Sequence, residues 1–228
     1  LIIYVVELSE LIDMVTLLII SIIVGFIGAL TGLGGASILI PILVFLDIPV
    51  KEAIASSMVA IIATSSGAAS SFVRERITNV KVAMYLEMFT SVGAIIGATI
   101  TTIVAPIFLY FFFAAFLLTS FIKFKDSISR SYVSPKKQDK LSRWLELQGS
   151  YFDKAKNQLI EYKVNHALLG GLGMLIAGLA AGMLGIGAGA FKVTIQENVL
   201  KMPSKVASAT SDFIIGMTAL AGVSVYFF

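Results

Sequence analysis

The chain has 228 residues, of which 57% are hydrophobic and only 14% charged, and its mean hydropathy is +0.94. A water-soluble domain is nearer a quarter charged, so this composition excludes one and points to a bilayer. The net charge of +3 is no nucleic-acid signature, because ten of the 17 Lys and Arg residues crowd between Lys123 and Lys163, as in a cytoplasmic loop.

No period-two alternation runs through the apolar stretches, so an all-α membrane bundle is predicted rather than a barrel. Residues 1–13 carry Glu7, Glu10 and Asp13 and no basic residue, the opposite of a signal-peptide n-region. Apolar segments follow at 11–31, 36–48, 53–73, 82–104, 106–122, 167–184, 189–200 and 206–228. Segments 36–48 and 189–200 are too short to span a bilayer of about 20 helical residues and read as re-entrant. Each follows a glycine cluster, TGLGG at 31–35 and GIGAG at 185–189. Between the halves, 123–163 mixes charge with Leu141, Trp144, Leu145, Leu159 and Ile160. It is predicted to form one or two amphipathic helices on the cytoplasmic surface, as a connector or as a regulatory surface.

Placing 123–163 inside puts the turn at 104–106 outside, Arg74, Arg76 and Lys81 inside, and Lys51 and the acidic N-terminus outside. The second half then enters from the cytoplasm, returns near Lys201 and Lys205, and crosses outward. The localisation expected is multi-pass in an inner or plasma membrane.

The two halves repeat one another. Gly25, Gly32 and Gly34 align with Gly178, Gly185 and Gly187, and one inserted residue later Pro49, Lys51, Ala53 and Ser57 align with Pro203, Lys205, Ala207 and Ser211. The units run from 11–122 and 164–228, the second expected to be C-terminally incomplete, and they enter from opposite faces. An inverted-topology repeat of this kind is a transporter architecture.

Glycine is a poor residue for a helix interior, at about 1 kcal/mol relative to Ala. A broken helix also exposes backbone N–H and C=O groups, which survive in a membrane only when buried in protein or lining a polar cavity. Two such breaks entering from opposite faces would meet near the midplane, each pointing a helix N-terminus at the centre. Helix N-termini carry free N–H donors and partial positive charge and so favour anions. Ser37 adds a hydroxyl and Lys192 a full positive charge near the starts of the short helices. Gly25, Gly28, Gly93 and Gly97 read instead as helix-packing surfaces.

The residues Gly32-Leu33-Gly34-Gly35 through Pro41, then Pro49 through Ser56-Ser57, resemble the sulfite exporter TauE/SafE family. So do Gly185-Ile186-Gly187-Ala188-Gly189 with Lys192-Val193, then Pro203 and Ala209-Thr210-Ser211. The chain departs from the family pattern at Ala188, at Thr194 and in the length of 123–163. The resemblance implies a secondary transporter or exporter of small sulfur-containing anions such as sulfite, sulfoacetate and related organosulfonates. The expected substrate-binding residues are Gly32, Gly34, Gly35, Ser37, Ser56, Ser57, Gly185, Gly187, Gly189, Lys192, Thr210 and Ser211. For the four hydroxyl residues after the hairpins, back-bonding to the helix or interhelical contact is an equal alternative.

Intramembrane charge is scarce, so each instance counts. Lys192 is expected deep, and Asp212, about two turns into the last helix, is expected either to pair with it or to carry a coupling ion, a proton or sodium. Glu87 is expected either at the interface, paired with Arg74 or Arg76, or, as the alternative, as a carrier of the coupling proton. Gln196 and Asn198 are placed along the path, and His166 at the membrane surface. No cofactor and no metal site is implied, and the partners expected are the anion, the coupling ion and lipid.

An enzyme is disfavoured: the only imidazole lies far from GAAS at 67–70, and there is no HExxH and no cysteine. A channel built from two opposed half-helix hairpins remains the nearer alternative.

Overall fold

The computed structural model describes residues 15–28, 35–127, 138–154 and 157–227. Helices α1 (Val15–Gly28), α2 (Ala36–Phe45), α3 (Val50–Arg74), α4 (Val80–Ile103) and α5 (Pro106–Ser127) make the first half. A short helix α6 (Lys140–Trp144) and strands β1 (Gln148–Asp153) and β2 (Gln158–Lys163) follow. Helices α7 (Ala167–Leu184), α8 (Gly189–Asn198) and α9 (Ser204–Phe227) make the second half. Among them α3, α4, α7 and α9 are long and apolar enough to cross a membrane. The protein is an all-α integral membrane protein with one small β-hairpin at an end of its bundle. Large apolar side chains such as Phe26, Met88, Phe111 and Ile176 point outward. Apolar surface on this scale suits lipid, not water.

Local signals set the helix ends. Asn79 caps α4, its side-chain oxygen accepting from Val82 N–H at 3.1 Å. Pro106 opens α5, where its missing N–H costs nothing. Gly185, at φ 66°, closes α7 in the left-handed conformation that glycine adopts freely.

Close backbone approach decides the packing. Helices α4 and α7 run parallel: Tyr85 OH donates to Ala167 O at 3.2 Å near their starts, and Thr101 Oγ1 donates to Met183 O at 3.0 Å near their ends. A Cβ added at Gly93 would lie 2.2 Å from Leu175 O, and one added at Gly182 would lie 2.1 Å from Ala94 O. Gly93 and Gly97 therefore meet Gly178 and Gly182 in a small-xxx-small seam, the packing role expected of the α4 pair. Helix α9 runs parallel to α4, with Asn79 against Thr210 and Glu87 against Thr218. It runs antiparallel to α3, with Ser65 against Gly216 and Met58 against Gly222.

The connector departs from expectation. Its first residues continue α5, and among the described residues from 138 onward it is not the one or two amphipathic helices expected but the short α6 followed by an antiparallel hairpin, in which Tyr151 faces Ile160 and Gly149 faces Tyr162. The reason is a period-two pattern hidden in a charged stretch. Tyr151 and Tyr162 are buried on one face, while Phe152, Leu159 and Glu161 face out. The inner face packs with Leu147, Val164, Met174 and Val206 into a core under the ends of α4, α7 and α9. Asp139 ties this unit together: its carboxylate accepts from the Ser142 hydroxyl, from Ser142 N–H at 3.3 Å and from His166 N–H at 2.8 Å. Partial burial alone would raise the Asp139 carboxyl, but these hydrogen bonds outweigh it and hold it below the ordinary aspartate value. His166 itself is exposed at the start of α7, as expected of a surface residue.

Candidate functional site

The two short helices share one local design. Each has ten residues and starts after a residue with positive φ, Gly35 at 71° before α2 and Ala188 at 50° before α8. Those two positions correspond in the sequence repeat. Each short helix is followed by a proline-led long one, Pro49 before α3 and Pro203 before α9. The α7–α8 hairpin ends where it begins: Asn165 N–H donates to Leu200 O at 3.1 Å, and the Leu200 side chain lies over Gly170.

The surroundings of the tips are apolar. Gly185 packs on Ile54, and Gly187 packs on Ile215 and Ile61. Ala36 at the start of α2 joins Ile186 and Ala188 in a single hydrophobic cluster with Ile54, Ile61 and Ile215. Gly35 and Gly189 are buried and Ser37 is half-buried. Gly32 and Gly34 lie outside the described residues.

The polar groups gather instead where α4, α8 and α9 meet. Lys192 is wholly buried, and its ammonium donates to Thr218 Oγ1 at 2.8 Å. Thr218 Oγ1 in turn lies 3.1 Å from Glu87 Oε2, 3.2 Å from Thr90 Oγ1 and 2.8 Å from Ile214 O. Its single proton goes to one of these acceptors at a time. Glu87 is also held by its own helix: Thr90 Oγ1 donates to Oε2 at 2.9 Å and the Ser91 hydroxyl donates to Oε1. The cation and the carboxylate are thus joined through one hydroxyl. Thr218 lies about 21 Å along α9 from Ser204, at about 1.5 Å per residue, deep within that helix.

Two expectations are corrected here. Glu87 is not an interfacial partner of Arg74 or Arg76; it is buried, while both arginines are exposed. It begins about 10 Å into α4, on the face that meets α9, where Thr218 and Lys192 attract it. Nor does Lys192 pair with Asp212. Its ammonium reaches Thr218, six residues further along α9, and six residues turn the helix by about 240°, onto a different face. Asp212 is buried, its backbone oxygen accepts from the Ser65 hydroxyl, and its carboxylate has no hydrogen-bond or ion-pair partner among the described residues.

The predicted hydroxyls separate into distinct roles. Ser56 is exposed. Ser57 donates to Ala53 O at 2.6 Å, the back-bonding alternative. Thr210 Oγ1 accepts from Asn79 N–H at 3.1 Å, an interhelical contact. Among the described residues the hydroxyl of buried Ser211 has no partner, nor has either amide atom of buried Gln196. Thr90, Ser91 and Thr218 were not singled out from the sequence. The signal was there for two of them: Glu87, Thr90 and Ser91 stand at i, i+3 and i+4 in the middle of a bilayer-length helix. Among the described residues no group of His, Cys, Asp or Glu side chains is placed to hold a metal ion.

Charge deep in an apolar bundle, beside two glycine-led half-helices, is the arrangement of a translocating protein rather than of an inert scaffold. Comparison with known proteins agrees. The family model described as Sulfite exporter TauE/SafE matches residues 17–228. The "Probable membrane transporter protein YunE" of Bacillus subtilis (strain 168) is 25% identical over 226 residues, covering 91% of this chain and 76% of that protein. No solved structure matches the chain. The chain belongs to the sulfite exporter TauE/SafE family of membrane transporters.

Proposed function

We propose that the protein is a secondary transporter of small sulfur-containing anions, sulfite, sulfoacetate or related organosulfonates, working by alternating access between two hairpins, α1–α2 and α7–α8. The observation that carries this reading is Lys192, a wholly buried cation that shares a hydroxyl with a buried carboxylate. A permanent pair of this kind adds little stability in an apolar interior. As a switch it has a use: an entering oxyanion competes with Glu87 for Lys192, with Thr218 changing its donor direction as the anion takes the ammonium. Lys192 supplies the charge, and the first turn of α8, on which it stands, supplies N–H dipoles. Two buried carboxyl groups, Glu87 and Asp212, stand with one buried cation, an arrangement that favours co-binding of a proton or sodium ion with the anion, and Asp212 is the group for it. The charge pattern of the loops supports an inner or plasma membrane location with the N-terminus outside and 123–163 in the cytoplasm. The parallel course of α4, α7 and α9 supports that orientation.

The test is transport by the full chain in liposomes. The expected result is saturable, gradient-coupled movement of sulfite or sulfoacetate, not of chloride, that is lost in Lys192→Ala. Transport retained in Lys192→Ala would remove Lys192 from the site. Non-saturating conductance would make the protein a channel.

A further inference from the structure

We infer that Gln196 and Ser211 form a hydrogen-bonding subsite, in the seam between α8 and α9, for an anion that itself carries an O–H or N–H group. The inference rests on the anion reading of Lys192 above and adds the feature by which one anion is told from another. Both side chains are fully buried, and Gln196 Nε2, Gln196 Oε1 and Ser211 Oγ have no hydrogen-bond partner among the described residues. Their neighbours are satisfied: Thr194 Oγ1 donates to Ala190 O at 2.7 Å, and Thr210 accepts from Asn79 N–H. Buried polar groups are rarely left unpaired in a native protein, and three such atoms on two adjoining helices mark a place for a polar guest.

The register puts that place beside Lys192. Gln196 stands one turn beyond Lys192 on the same face of α8. Ser211 stands two turns before Thr218 on the same face of α9. The two helices are consecutive and fold back on each other, with Gly187, just before α8, against Ile215 of α9 and the long Lys192 side chain reaching on to Thr218. Moving along α8 from Lys192 to Gln196 therefore moves back along α9 from Thr218 toward Ser211. The seam presents a cation at one end and an amide with a hydroxyl at the other.

The chemistry of those atoms selects the ligand. Gln196 Nε2 donates and Oε1 only accepts, and Ser211 Oγ does either. An oxyanion with acceptors alone satisfies Nε2 but leaves Oε1 facing an oxygen. An anion with its own O–H or N–H satisfies both. Sites built to pair with a ligand hydroxyl discriminate strongly against the analogue that lacks it, because the site's own polar atoms are then left unpaired.

The experiment compares hydroxymethanesulfonate with methanesulfonate, which share the charged sulfonate and differ by one hydroxyl, binding to the full chain in detergent. We expect the hydroxylated anion to bind about tenfold tighter or more. The ratio should fall toward one in Gln196→Leu and in Ser211→Ala, whose melting temperatures in the absence of anion show that they are folded. If Gln196→Leu does not fold, Ser211→Ala, which removes a single oxygen, decides. Equal binding of the two anions to the unaltered protein overturns the subsite and leaves the anion reading of Lys192 standing. A preference that survives in the folded variants overturns it too. Failure of both anions to bind removes the anion reading itself, and the subsite with it.

Discussion

Replacing Lys192 by Met keeps the volume of the stem and removes the charge. Glu87 then remains buried, held by Thr90, Ser91 and Thr218 hydroxyls but with no cation. Breaking a buried pair by removing one partner costs about 3–5 kcal/mol, because the other charge is left uncompensated. Glu87→Gln should cost a similar amount, since it strands a wholly buried ammonium on Thr218. The double variant Lys192→Met/Glu87→Gln leaves no orphan charge, and replacing both members of a buried pair is often near neutral. The two single costs should therefore fail to add by several kcal/mol, a coupling far above the few tenths expected for distant sites. The assay is equilibrium or thermal unfolding of the four proteins in one detergent. Sulfite transport in liposomes is measured beside it, where the stable double variant should be as dead as Lys192→Met. Additive costs would refute the linkage through Thr218, and a double variant that still transports would refute the role of Lys192.

Three further outcomes follow from the packing. Gly178→Leu should destabilise by about 1–3 kcal/mol or more, because any Cβ there would lie 2.2 Å from Thr90 O, whereas Gly67→Ala, with nothing within 4 Å, should be neutral or stabilising in the same melt. Ala188→Gly should raise stability by about 1 kcal/mol by relieving a left-handed alanine, while Gly185→Ala, at φ 66° and pressed on Ile54, should lower it; melting temperatures that move the other way would contradict the hairpin geometry. Asp139 has a folded pKa below its unfolded one, so its contribution to the connector is present above about pH 4, the ordinary aspartate value, and is lost as pH falls through the folded value. The protection factors of the β1 and β2 amides, that is, exchange corrected for its intrinsic pH dependence, should thus fall in acid, and in Asp139→Asn they should be lower throughout and lose that dependence.

Much of this architecture is legible in composition and spacing. Bilayer-length apolar runs mark α3, α4, α7 and α9, since backbone in lipid must bond to itself and only a helix does so within one segment. The breaks before α2 and α8 are legible because glycine clusters are costly inside a helix, and the repeated Pro49 and Pro203 mark where the next helices begin. The connector was not, because charge at its ends obscured the period-two burial of Tyr151 and Tyr162. Lys192 was singled out because an ammonium in an apolar helix demands a partner.

Which partner it takes is not written along the chain. Ser204 to Thr218 and Val80 to Glu87 are distances along separate helices, and only their parallel packing brings positions 87 and 218 into register. The close approach of α4 to α7 through four glycines, and the 240° that separates Asp212 from Thr218 around α9, settle that Lys192 answers to Glu87. The sequence by itself determined the helices, their breaks and the need to compensate a buried charge. Tertiary structure alone decided the pairing, because Lys192, Thr218 and Glu87 are joined by hydrogen bonds that form only at about 3 Å, and Lys192 and Glu87 are more than a hundred positions apart along the chain.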